Sequence, residues 1–163
     1  MPETADTQVT RRHHGYILGF DFGFRRIGVA VGQFTTMTAT SLETVGHGTT
    51  PDWIAIARLV REWKPTVLLV GLPIHLNGDE TDMSRAARKF GAELHDHYSL
   101  DVSFADERLS SRAAESRFAE LRAQGSLKKK HARNLDAMAA QIILENWILS
   151  TPETLSENEV NDG

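Results

Sequence analysis

Three carboxylates far apart in the chain, Asp21, Glu107 and Asp136, sit among residues that suit shared chemistry better than simple solvation. Asp21 lies in the stretch GFDFGFRRIGVAVG, residues 19–32, between two apolar, β-prone runs. The stretch reads as a β-hairpin with an acid at its mouth and Gly23 in the turn. A carboxylate among buried strand residues is costly unless a cation, a donor or a metal lies beside it. Gly19, Gly23 and Gly28 leave room for backbone or ligand to approach closely. Glu107 follows a strand-like run, and Asp136 heads a stripe with Ala140, Ile143 and Trp147 at helical spacing, so it should face a sheet rather than water. Ala137, Ala139 and Ala140 let that helix come close.

If the three acids meet, each raises the others' pKa unless cations intervene. Oxygen ligands, with no cysteine in the chain, favour Mg²⁺ or Mn²⁺ over zinc. Two such ions about 3.5–4 Å apart can activate water and stabilise the leaving oxygen of a phosphodiester. Each acid also has a plain structural reading. Asp21 suits a turn with Arg25 or Arg26 as partner. Glu107 could pair with Arg108 or Arg112, and Asp136 could serve the helix N-terminal dipole or extend an Asn134 cap. The seven histidines form no ligand-spaced set.

The elements that must position these acids follow from periodicity. Strands are expected at 16–22, 27–34, 38–45, 66–70 and 100–105, the fourth continuously apolar and therefore buried on both faces. The third is threonine-rich and alternating, with one wet face. A helix opens at Thr50-Pro51-Asp52, with Thr50 as cap, and stops at Lys64-Pro65. Further helices are expected at 81–97, 110–123 and 133–149, with a Gly/Lys loop at 124–130. Residues 1–14 read as a disordered lead-in, 15–149 as one nuclease-sized domain, and 150–163 as an acidic disordered tail. Right-handed crossovers then require a mixed five-stranded sheet with helices on both faces and strand one beside strand four, which is an α/β, ribonuclease-H-like architecture.

Charge distribution says more than the formal net charge of −4. The tail holds Glu153, Glu157, Glu159 and Asp162 with no base, which leaves the rest of the chain neutral. Within that rest, residues 108–133 carry a local +6 that includes Lys128, Lys129, Lys130 and Arg133. A basic segment next to Asp136 suits a polyanion such as nucleic acid, although a solvated helix face has the same signature. No apolar run is long enough to cross a bilayer and no export signal is visible, so no membrane partner and a cytoplasmic location are expected.

Asp21-Phe22-Gly23 with residues 27–32, Val70-Gly71-Leu72-Pro73 with Asn77-Gly78, Asp106-Glu107-Arg108-Leu109-Ser110, and residues 136–140 together closely resemble the YqgF (RuvX) family of bacterial ribonuclease-H-like nucleases, over roughly residues 15–147. The resemblance implies that Asp21, Glu107 and Asp136 are the metal-binding acids, and that Arg108 and Ser110 support the site or contact substrate. It assigns no role to Arg26. It implies maturation of the 5′ end of 16S ribosomal RNA, with precursor RNA or a ribosomal particle as partner, or resolution of branched DNA as a Holliday junction resolvase. Classical junction resolvases end strand four on an acid, where this chain has Gly71-Leu72-Pro73, and carry a fourth acid where Ala139 and Ala140 stand; junction cleavage is therefore the second reading. A resolvase should be a two-fold dimer, whereas an RNA nuclease can be monomer or homodimer. Two further readings are a non-catalytic nucleic-acid or ribosome-binding module, and an actin-type nucleotide-binding domain, which needs a second domain that 163 residues cannot hold.

Overall fold

The structure, a computed structural model, describes residues 15–73, 79–106 and 129–150, with side chains omitted at 129–134. Its elements in order are β1 (Tyr16–Phe22), β2 (Arg26–Gln33), β3 (Thr38–Gly46), α1 (Trp53–Trp63), β4 (Val67–Leu72), α2 (Asp82–Tyr98), β5 (Asp101–Asp106) and α3 (Lys129–Ser150). The strands form one five-stranded sheet in the order β3-β2-β1-β4-β5. β1 pairs antiparallel with β2, and β2 with β3, while β4 lies parallel to both β1 and β5. The expected architecture is present.

Alternation along the strands divides the core in two. Leu18, Phe20 and Phe22 of β1, Val29 and Val31 of β2, and Leu68, Val70 and Leu72 of β4 face α1 and α2. There Ile56, Leu59, Ala87, Phe90 and Leu94 close over them. Ile17, Ala30, Leu69 and Ala105 face the other way, against Ala140, Leu144 and Ile148 of α3. Every residue of β4 is buried, as a central parallel strand covered on both faces should be. β3 is mostly half-buried, with Thr38, Thr40 and Gly46 exposed and Val45 buried.

Local chemistry sets the helix ends. Thr81 and Ser84 form a reciprocal capping box at the start of α2, and Thr81 also donates to the Pro73 carbonyl at 2.9 Å, tying the end of β4 to the helix. Asp52, not Thr50, caps α1 by accepting from the Ala55 amide at 3.1 Å. Pro51 instead bridges to His47, outside the helix. Lys64 ends α1 in the left-handed region at φ 47°, ahead of Pro65.

The larger correction concerns α3. It begins at Lys129, not at 133, so Lys129 and Lys130 belong to the helix and not to a loop. Asp136 consequently lies about two turns into α3 and cannot serve as a helix-start residue or extend an Asn134 cap. The buried stripe is Ala137, Ala140, Leu144 and Ile148, one step round from the expected one, so Asp136 lies at its margin. The expected helix at 110–123 and residue Lys128 lie outside the described residues, as do residues 1–14 and 151–163.

Candidate active site

Asp21 is the second-last residue of β1, and its side chain follows Ile17 and Gly19 onto the α3 face of the sheet. Its cross-strand partner on β2 is Gly28. Directly paired residues in antiparallel strands have Cα atoms about 4.5–5.5 Å apart and present their side chains to the same face. At Gly28 that face is occupied by the backbone of α3. A Cβ on Gly28 would stand 1.9 Å from the Asp136 carbonyl oxygen and 2.9 Å from the Ala137 amide nitrogen. Gly19 and Gly32 meet Leu144 and Ile148 in the same way, at 2.9–3.1 Å from a notional Cβ. Gly19, Gly28 and Gly32 thus form a floor on which α3 lies with little between helix and strand. The backbone of Asp136 is thereby seated over Gly28, the cross-strand partner of Asp21.

Electrostatics at this point centre on Arg26. Its Nε lies 2.7 Å from Asp136 Oδ2, with side-chain exposures of 47% and 29%. Oδ2 itself is buried, and among the described residues no donor satisfies it in hydrogen-bonding geometry, so the contact is one of charge and not of direction. The sequence offered Arg25 or Arg26 to Asp21; the ion pair of Arg26 is with Asp136. No sequence signal marked this pairing, because residues 110 positions apart meet only through packing.

The third acid is approached from the other side of β1. Phe20 pairs with Val70 and Gly71 with Ala105, so Asp21, Gly71 and Ala105 share a level across three neighbouring strands. β1 and β5 stand two strand spacings apart, about 10 Å. β5 ends at Asp106, on the edge of the sheet where β1 also ends. Glu107, Arg108 and Ser110 lie outside the described residues. Lys129, Lys130 and Arg133 lie in the first turns of α3, on the N-terminal side of Asp136. Among the described residues no three His, Asp or Glu side chains form a metal-holding group. The donors of Asp21 and Asp136 are all oxygen, and Asp136 Oδ2 is a buried carboxylate oxygen lacking a hydrogen bond among the described residues. That donor set fits a hard divalent cation.

The start of α2 carries a second network. Glu80 accepts from Arg88 Nε at 2.7 Å and from the Ser84 hydroxyl. These hydrogen bonds, from Ser84 first and then Arg88, hold its carboxyl below the usual glutamate range. Glu80 is committed to the α2 start and is no candidate ligand.

Comparison with known proteins agrees with this fold. Thermus thermophilus RuvC, solved in complex with a Holliday junction substrate, superposes with a TM-score of 0.52 at 17% identity, covering 82% of this chain and 92% of that one, and so shares the fold. A curated relative from Hydrogenovibrio crunogenus, named "Putative pre-16S rRNA nuclease", is 45% identical over 141 residues, covering 86% of this chain and 98% of its own. A relative of the same name from Dechloromonas aromatica is 47% identical over 137 residues, covering 83% and 92%. The fold is ribonuclease-H-like, and the relatives that share it at 45–47% identity are named as nucleases. The family model that matches residues 15–150 is RuvX, described as Holliday junction resolvase, and the chain belongs to that family.

Proposed function

We propose that the chain is a divalent-metal-dependent endonuclease that hydrolyses phosphodiester bonds in structured RNA, and that it matures the 5′ end of the 16S ribosomal RNA precursor in the cytoplasm. The observation that carries this reading is the seating of Asp136 on Gly28, beside Asp21. The names of the relatives support the choice of RNA.

Asp21 and Asp136, joined by Glu107, would hold Mg²⁺ or Mn²⁺, two ions in all. Bound there, the ions would polarise the scissile phosphate and ease deprotonation of the attacking water. Arg26 holds the Asp136 carboxylate at the sheet edge and neutralises it in the absence of metal. Lys128, Lys129, Lys130 and Arg133 would take the phosphates flanking the cut, and Arg108 and Ser110 would contact substrate beside Glu107.

The test is incubation of purified protein with 5′-extended precursor RNA and Mg²⁺, with Asp21→Asn and Asp136→Asn in parallel. The expected loss of rate in each variant is about 100-fold or more, the scale of removing a principal electrostatic contributor. Equal cleavage by Asp21→Asn would remove the acid from the reaction.

The second reading, resolution of four-way DNA junctions, is favoured by the description of the family model. It requires a two-fold dimer cutting two strands symmetrically. Sedimentation showing only monomer at working concentration would exclude it.

A further inference from the structure

Among the described residues four large apolar side chains are exposed: Phe24, Met37, Ile54 and Leu149. Single exposed apolar residues are ordinary. Phe24 differs because it is carried on the turn that follows Asp21 and is presented by a rigid support. It is 53% exposed and stands edge-on to Phe22, with ring centroids 6.3 Å apart at 75°. Phe22 is in turn wedged between Phe90, at 5.2 Å, and His47, at 5.1 Å. The turn is clamped from the end of β3: His47 Nδ1 lies 2.8 Å from the Gly23 carbonyl oxygen, and the His47 amide donates to the Arg25 carbonyl at 3.0 Å. Gly23 has no room for a side chain, since a Cβ would stand 2.6 Å from the Arg26 carbonyl oxygen. An aromatic ring is thus held out of the core, and two exposed arginines, Arg25 and Arg26, follow it.

A ring presented this way next to cations matches what a single-stranded nucleic acid offers: an unstacked base with a flanking phosphate. A hydrophobic protein partner would gain little from one ring flanked by two cations. We propose that Phe24 stacks on an unpaired base of a strand that passes over the end of the β1–β2 hairpin, on the side where Phe22 packs, with Arg25 on an adjoining phosphate, so that the protein favours strands with an unpaired nucleotide there. The proposal rests on the nucleic-acid reading of the carboxylate site and adds the class of structure recognised. Because Phe24 is supported by Phe22 and the clamped turn, the ring needs little ordering when a base arrives. Stacking of this kind is sequence-tolerant, since every base has a π-face.

The test uses the full chain carrying Asp21→Asn, so that bound strands persist, and measures anisotropy with a fluorescein-labelled single-stranded RNA about one OB-fold footprint long, roughly 12 nucleotides, and with the same RNA fully paired to its complement. Phe24→Ala should weaken binding of the single strand roughly 5- to 150-fold, the range that loss of one base–aromatic stack implies. Phe24→Trp should restore it, and binding of the duplex should be unchanged. Scanning a single abasic nucleotide along the strand should reveal one position at which the parent and the Phe24→Ala variant bind equally. Equal affinity of Phe24→Ala for the single strand, or an equal loss on duplex, overturns the stacking role while leaving the nuclease reading intact. Failure of the parent to bind either RNA overturns the nucleic-acid reading, and the stacking role with it. Unchanged circular dichroism of Phe24→Ala is expected for so exposed a ring, and the Phe24→Trp arm separates stacking from any change in the fold.

Discussion

The carbonyl oxygen of Asp136 lies where the side chain of Gly28 would begin, 1.9 Å from a notional Cβ. That single contact brings a helix residue beside a strand carboxylate 115 positions earlier, Asp21, because Asp21 is the cross-strand partner of Gly28. Backbone cannot yield as a flexible side chain can. Gly28→Ala is therefore expected to lever α3 off the sheet and cost about 3 kcal/mol or more, at or above the upper end of ordinary overpacking. Urea unfolding checks the stability. Mn²⁺ titration of the folded fraction checks the second expectation, that the variant binds the ion more weakly than the parent.

On the proposed reading, Arg26 and a metal ion would compete for the Asp136 carboxylate. With Arg26 half exposed, the ion pair at 2.7 Å should contribute no more than about 1 kcal/mol to stability. Arg26→Gln should therefore leave the unfolding midpoint nearly unchanged and tighten Mn²⁺ binding by up to about fivefold, the same free energy seen from the other side. Calorimetry with Mn²⁺ reads this directly. A weaker affinity in the variant would show that Arg26 orients Asp136 for the ion instead of opposing it.

Leu144 is fully buried, and its side chain reaches both Gly19 and Gly32. Leu144→Ala should cost about 2–5 kcal/mol, because the two glycines offer no atoms to fill the cavity. Thermal or urea unfolding provides the measurement. The same truncation at exposed Leu149 should be close to neutral.

Glu80 gives an acid-side dependence. Its carboxyl titrates below the usual range because the charged form accepts hydrogen bonds from Ser84 and Arg88. A carboxyl depressed in the folded state contributes stability above its unfolded pKa, and that contribution is lost as pH falls through the folded value. Stability should thus decline on acidification below the ordinary glutamate range. Glu80→Gln should be the less stable protein at neutral pH, and the two should converge in acid. Urea midpoints at neutral pH and well below the ordinary glutamate pKa of about 4.3 test this, and a constant difference between the two would refute it.

Much of this molecule was legible because its signals are local. Five strands, their order and the helices on both faces follow from apolar periodicity and from the handedness of crossovers, and the observed strand bounds differ from expectation by a residue or two. The continuous apolar run of β4 announced its burial. Gly28 was visible as a point of close approach, since a glycine inside an apolar strand has few other uses. The start of α3 was misplaced because lysines propagate a helix as readily as they populate a loop, so composition did not distinguish the two. The cap of α1 was misassigned by two residues for a related reason: Thr50 and Asp52 are both good caps, and only the bridge between His47 and Pro51 decides between them.

The sequence by itself determined which residues carry hard oxygen donors and, for most elements, which faces had to be buried, because side-chain chemistry and periodicity are written residue by residue. Only the tertiary structure decided which backbone fills the space above Gly28, that Arg26 answers Asp136, and that Phe24 is held outward on a clamped turn. Those are contacts between residues distant along the chain. They arise from how a helix settles on a glycine floor, and no local pattern encodes the distance between two surfaces before they pack.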